Sequence, residues 1–323
     1  MLPSLNQQRV PLDFQMNNII TMAQKTCIKF KSGNGWCDGD LHIPDGHESS
    51  PLIIMAHGLG AVKSMRLSAY AERFVRAGYA CMIFDYRHFG ASDGVPRQLL
   101  DIKLQLEDWR AAINYASDRK EFDINKIILW GTSFSGGHVL TIAAELPKLA
   151  AVISQCPFTS GLGSSMNMDV KTSISLAILA LYDRARMLVG ASPAYIPITA
   201  SPNHLALMNA KDALDGYQSL KPAGVNIPNY VCARIALGIM FYSPGRSTKK
   251  IESPVLFCIC DNDSVAPTKK TVKFALNTPN KSIKIYSYGH FEIYLGTAFE
   301  RLVSDQLDFL YKNVPPGKQL NIQ

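Results

Sequence analysis

Short apolar runs separated by helical periodicity dominate the middle of the chain. Leu52–Ala56 is an uninterrupted apolar run, suited to a strand buried on both faces. Leu67, Tyr70, Ala71, Phe74 and Val75 then recur at helical spacing, and Gly78 is placed to end that helix. Ala80–Phe84 reads as the next strand, and Ile102, Leu106, Trp109, Ile113 and Ala116 mark one face of a longer helix. Ile127–Trp130, a helix through Val139–Leu146, and Ala150–Ser154 continue the alternation. After a break near Pro157 it resumes with Val255–Cys260, a helix around Val272–Leu276, a last strand at Ile283–Tyr286 and a closing helix. Its apolar face carries Phe299, Leu302, Val303, Leu307 and Leu310. Alternating strands and helices predict a mostly parallel sheet covered by helices on both faces.

Ahead of this block, extended segments around Cys27–Phe30 and Trp36–Ile43 flank the turn-like Ser32-Gly33-Asn34-Gly35, the pattern of a hairpin. Residues 158–250 break the rhythm. They hold apolar helical segments and loops with Pro193, Pro197, Pro202 and Pro222, and no strand stands out. The expected organisation is a core domain of residues 1–157 and 251–323, with 158–250 as a mainly helical cap.

Composition adds limits. The 323 residues are 47% hydrophobic and 18% charged, the balance of a globular protein. The net charge of +7 is scattered, with no basic stripe interleaved with aromatics, so nucleic acid is not an expected partner. The seven cysteines are odd in number and irregularly spaced, which fits free thiols in a reducing compartment. Cys258 and Cys260 share a strand face, but two ligands do not make a zinc site, so no metal is expected. The first fourteen residues lack the pattern of a secretory signal, and the apolar stretch Ile174–Val189 is too short and too charged to span a bilayer. A cytoplasmic protein without stable membrane insertion is the expectation.

The chemistry concentrates at strand ends. Strand Ile127–Trp130 runs into Gly131-Thr132-Ser133-Phe134-Ser135-Gly136-Gly137, a tight turn into a helix. Small residues two before and two after the apex fit a nucleophile elbow with Ser133 at the top. The strict pattern has glycine where Ser135 stands, so Ser135 is the competing apex. No lysine follows the glycines, which excludes a Walker-type phosphate loop. A serine nucleophile needs a base and the base an orienting acid, here in the order Ser, Asp, His, each after a later strand. Of seven histidines, His290 alone follows the last strand. His42 and His47 come too early, His138 falls on the helix after the elbow, and His204 lies in the cap. Asp261 and Asp263 both follow Val255–Cys260; Asp263 is the expected acid and Asp261 the alternative. Glycines in His57-Gly58-Leu59-Gly60 let the backbone N–H groups of Leu59 and Phe134 converge as an oxyanion hole, with His57 shaping the loop.

Together HGLG at 57–60, DYRHFGASDG at 85–94, GTSFSGG at 131–137, DNDSVAP at 261–267 and YGHFE at 288–292 resemble the α/β-hydrolase superfamily. The nearest flavour is the group of Xaa-Pro dipeptidyl-peptidase-like and serine-aminopeptidase-like domains and fungal polyketide transferases. The resemblance implies an α/β-hydrolase fold with Ser133, Asp263 and His290 as a catalytic triad and no cofactor. The loop from Asp85 to Gly94 reads as a scaffold held by Asp85, Arg87 and Ser92, with His88 and Phe89 placed to edge a pocket. The expected activity is cleavage of a carboxylic ester or thioester of a small molecule with an apolar portion. Acyl transfer to an alcohol and peptide cleavage are the enzymatic alternatives, although no acidic cluster is placed to bind a peptide amine. A weakly catalytic ligand receptor is the alternative from another class. Leu176–Met187 and Ile235–Phe241 are the segments expected to line an acyl pocket.

Overall fold

The computed structural model describes residues 23–45, 50–119, 121–147, 149–165 and 168–316. His47 and the N-terminal stretch lie outside them. The chain opens with the predicted hairpin, β1 (Ala23–Ser32) and β2 (Gly35–Pro44), whose strands pair antiparallel around Gly33-Asn34. There follow β3 (Leu52–Ala56), α1 (Leu67–Arg76), β4 (Ala80–Phe84), α2 (Ile102–Ser117), β5 (Ile127–Thr132), α3 (Phe134–Ala143) and β6 (Ala151–Gln155). The segment before the next core strand holds α4 (Gly161–Ser165), α5 (Val170–Leu188), β7 (Tyr195–Pro197), α6 (Ala213–Ser219), β8 (Tyr230–Cys232) and α7 (Ile235–Phe241). The core then closes with β9 (Val255–Cys260), α8 (Thr268–Leu276), β10 (Lys281–Tyr286) and α9 (Gly296–Asn313).

Eight strands form one sheet in the order β1-β2-β4-β3-β5-β6-β9-β10. The antiparallel hairpin joins β4 antiparallel; the five remaining pairs, from β4 to β10, are parallel. Strands β3, β4, β5, β6 and β9 are buried along their whole length, as expected for apolar runs covered by helices on both sides. From β3 the chain steps one way to β4, then returns past β3 and builds outward through β5 and β6. That reversal leaves a crevice beyond the carboxyl ends of β3 and β5, where ligands bind in open α/β sheets. The loop after β3 and the turn after β5 both open into it.

The closing helix is tied beneath this point by buried polar side chains. Trp130 Nε1 on β5 donates to Gln306 Oε1 (3.1 Å), and Gln306 Nε2 donates to Gln155 Oε1 on β6 (2.9 Å). Each group is buried, and each finds its partner, so the network fixes α9 against the strand that carries the elbow.

Residues 158–250 hold more than helices. Strands β7 and β8 pair antiparallel as a separate two-stranded sheet, Tyr195 opposite Cys232 and Pro197 opposite Tyr230. Three residues are too few to display an alternating pattern, and Pro197 reads as a strand breaker. That is why no strand was visible there in the sequence.

Candidate active site

Strand β5 ends at Thr132, and Ser133 takes φ 55°, ψ −118° before α3 begins at Phe134. A non-glycine residue in this region is held there by its surroundings. The Ser133 N–H donates to Gln155 O (2.9 Å) and the Ser133 carbonyl accepts from Phe158 N–H (2.9 Å), so the end of β6 grips both sides of the turn. A side chain at Gly131 would collide with the Ser135 carbonyl, its Cβ lying 2.3 Å from that oxygen. Glycine is therefore required two residues before the apex.

The competing apex is engaged elsewhere. Ser135 is fully buried, and its Oγ shares a 2.8 Å hydrogen bond with Tyr86 Oη, which also accepts from Trp109 Nε1 (2.9 Å). A serine fits in the place of the usual glycine because its hydroxyl is satisfied underneath the helix. The sequence shows Trp109 only as part of a helix's apolar face and Tyr86 only as part of the loop after β4; nothing in it links either to Ser135.

Three of the predicted residues come together in one hydrogen-bonded line. Ser133 Oγ stands 3.0 Å from His290 Nε2, and His290 Nδ1 stands 2.8 Å from Asp263 Oδ2. His290 and Asp263 are both buried, with side-chain exposures of 2% and 3%. The other Asp263 oxygen accepts from the N–H groups of Val265 (2.8 Å) and Ala266 (2.6 Å), which locks the carboxylate in place. Asp261 instead meets the Ser287 hydroxyl (3.2 Å) in an exposed position. The two aspartates are thus separated by their contacts.

On the opposite wall, Gly58 packs so closely that a Cβ there would stand 2.8 Å from Ser133 Cβ. His57 shapes this loop: its Nδ1 accepts from the Gly58 N–H (2.7 Å), so Nε2 carries the proton and donates to Met65 O (2.8 Å). Burial drives the His57 pKa down from 6.5 to about 4, and the ring is neutral. Among the described residues, neither the Leu59 nor the Phe134 N–H meets a protein acceptor, and both residues border the space above Ser133.

The loop after β4 is a scaffold. Asp85 accepts from the backbone N–H of Lys63 (2.6 Å) and Ala91 (3.3 Å), tying it to the loop after β3; burial raises its pKa to about 6. Ser92 Oγ donates to Asp85 O (2.7 Å) and accepts from Asp38 N–H (2.8 Å). Arg87 pairs with Asp108 on α2, not with Asp85. His88 bonds Pro96 O and Phe89 is buried; neither borders the cavity above Ser133. His138 lies between Gln105 Oε1 (2.9 Å) and Tyr242 Oη (2.8 Å), and burial takes its pKa down to about 3. His204 is exposed and outside the cavity.

A cavity of about 220 Å³ covers Ser133. Leu59, Phe134 and Val265 border it from the core; Leu176, Ile239 and Met240 border it from the segment above. Only one flank of α5 takes part, through Ser173, Leu176 and Ala177, while Ile178, Leu181 and Met187 face outward. A 19-residue helix cannot turn all its apolar positions to one side. No group of three or more metal-ligating side chains occurs among the described residues, and all seven cysteines are free thiols, six of them buried. No helix among those residues is long and apolar enough to cross a membrane.

Comparison with known proteins agrees with this architecture. Over 288 residues the chain is 56% identical to the quorum-quenching protein AidA of Acinetobacter baumannii (strain MDR-ZJ06), covering 89% of this chain and 95% of that one. The polyketide transferase grgF of Penicillium sp is 26% identical over 274 residues, covering 83% and 90% of the two chains. A crystal structure of the α/β hydrolase GrgF from Penicillium sp. sh18 superposes with a TM-score of 0.78 at 25% identity, covering 90% of this chain and 99% of that one. Residues 47–220 match the family described as serine aminopeptidase, S33. With a parallel sheet, an elbow at the end of β5 and these likenesses in hand, the chain is a member of that family of α/β hydrolases.

Proposed function

We propose that the chain is a serine hydrolase that cleaves a carboxylic ester or thioester through an acyl-enzyme. The observation that carries this reading is the unbroken line Ser133–His290–Asp263 at 3.0 and 2.8 Å. His290 donates from Nδ1 to Asp263 and presents Nε2 to the Ser133 hydroxyl. Ser133 Oγ attacks the carbonyl carbon as its proton passes to His290 Nε2. The Leu59 and Phe134 N–H groups hold the oxygen that becomes negative. The leaving alcohol or thiol departs with the proton from His290. Water then gives a proton to Nε2 and attacks the acyl carbon; the bond from that carbon to Ser133 Oγ breaks as Nε2 returns the proton to Oγ, and the acid leaves.

Residues 158–250 serve as a cap in this reading, and their apolar cavity takes the acyl group. At roughly 30 Å³ per water-sized volume, 220 Å³ has room for a chain of several methylenes. Transfer to an alcohol instead of water is the second reading, favoured by the likeness to a polyketide transferase. The free thiols support a reducing, cytoplasmic setting.

The test is a series of p-nitrophenyl esters and matching thioesters of increasing acyl length, with products identified with and without an acceptor alcohol. Rising kcat/KM up to a medium chain, with free acid as product, is expected. Turnover that is flat across the series removes the acyl-pocket reading; activity retained by Ser133→Ala removes the mechanism.

A further inference from the structure

Helix α5 carries two unlike faces. Leu176, Ala180 and Asp183 turn toward the body and are buried, Asp183 in an ion pair with Arg234 at 2.7 Å. On the other side Val170, Ile174, Ile178, Leu181 and Leu188 recur about once per turn, and each is more than half exposed. At 1.5 Å per residue this stripe is roughly 27 Å long. Phe241, at the end of the neighbouring α7, is 82% exposed as well. A continuous apolar strip of this length on a folded surface marks a contact with something apolar.

Charge identifies the occupant. Lys171 and Arg184 flank the stripe in solvent, Arg186 lies further round the helix, and the single carboxylate within α5, Asp183, is consumed by Arg234. Asp169, just ahead of the helix, caps it by accepting from Thr172 N–H (2.8 Å). A second copy laid on this face would set these cations against their own kind, in a chain already at +7. An anionic lipid surface satisfies both the stripe and its basic edges.

We propose that α5 docks the protein on the surface of an anionic bilayer, stripe inward, without crossing it. The same helix borders the cavity above Ser133, so docking sets that cavity beside the lipid. The proposal concerns binding alone and stands or falls independently of the catalytic reading.

Flotation of the full chain with vesicles tests it. Vesicles of phosphatidylcholine alone and with added phosphatidylglycerol are compared at low and high salt. The wild type is expected to float with the phosphatidylglycerol vesicles, less so in high salt. The triple variant Ile174→Gln, Ile178→Gln, Leu181→Gln keeps helix-forming residues on an exposed face and is expected to partition at least about tenfold less. The pair Lys171→Glu, Arg184→Glu is expected to lose the preference for phosphatidylglycerol, and both variants to melt cooperatively as the wild type does. A wild type that floats with neither vesicle, or a triple Gln variant that floats like the wild type, overturns the proposal. So does a wild-type dimer in sedimentation equilibrium that the triple variant dissolves, which would assign the face to a second copy.

Discussion

Replacing Gly58 by Ala introduces a single methyl group at the most crowded point of the site. That carbon would lie 2.8 Å from Ser133 Cβ, 3.2 Å from Ser133 Oγ and 3.2 Å from Thr132 O. Carbon atoms in contact settle at about 3.5–4.0 Å, so the loop after β3 must retreat by roughly 0.7–1.2 Å or Ser133 must turn. The elbow is held on both sides by Gln155 and Phe158, so the loop is the part that yields. In the proposed mechanism its retreat carries the Leu59 N–H away from the position a developing oxyanion would occupy. A misplacement near 1 Å costs on the order of 10²-fold, and loss of one oxyanion donor costs on the order of 10²–10³-fold in kcat. Steady-state kinetics on a soluble aryl ester should therefore show kcat reduced by about two orders of magnitude with KM changed far less. The cavity that would hold the acyl group is bordered mainly by other residues, which is why KM is spared. A G58A protein that melts like the wild type and retains wild-type kcat would refute the close-packed oxyanion loop.

Further outcomes follow from individual contacts. Asp263→Asn should lower kcat by about 10⁴-fold, because an amide cannot stabilise the charged form of His290, whereas Asp261→Asn should stay within a few-fold; equal losses would put the acid in doubt. Stability should fall on acidification. His57 and His138, depressed by burial to about 4 and about 3, stay neutral in the fold while the unfolded chain takes up protons near 6.5. Their contribution is complete above pH 6.5 and is lost as pH drops toward 4, by about 3 kcal/mol each. Asp85, raised to about 6, acts in the opposite sense and offsets part of that loss, by about 2 kcal/mol. Urea midpoints that coincide at pH 7 and pH 4 would contradict this.

Much of the core was legible because its strands are buried on both faces and its helices on one. The first pattern leaves unbroken apolar runs such as Leu52–Ala56, the second a 3.6-residue period such as Leu67–Val75. The convergence of Ser133, His290 and Asp263 was legible because each stands just past a strand end, where topology brings distant loops together. The choice between Asp263 and Asp261 needed coordinates, since two residues of loop separate them and only contacts distinguish them. The tolerance of Ser135 was equally hidden, because it depends on the Tyr86 hydroxyl, which lies 49 residues away in the sequence. In residues 158–250 the small sheet of β7 and β8 is too short to leave a period. The direction of α5 was hidden for another reason: its apolar residues occupy nearly every face, and tertiary packing selects which are covered.

Whether Ser133 is the nucleophile is tested most directly by a fluorophosphonate, which bonds preferentially to an activated serine hydroxyl. After brief labelling of the folded protein, intact mass followed by peptide mapping should find one adduct, on Ser133, abolished in His290→Ala and kept in Ser135→Gly. An adduct on Ser135, or no adduct on protein that turns over esters, would rule out Ser133 as the nucleophile.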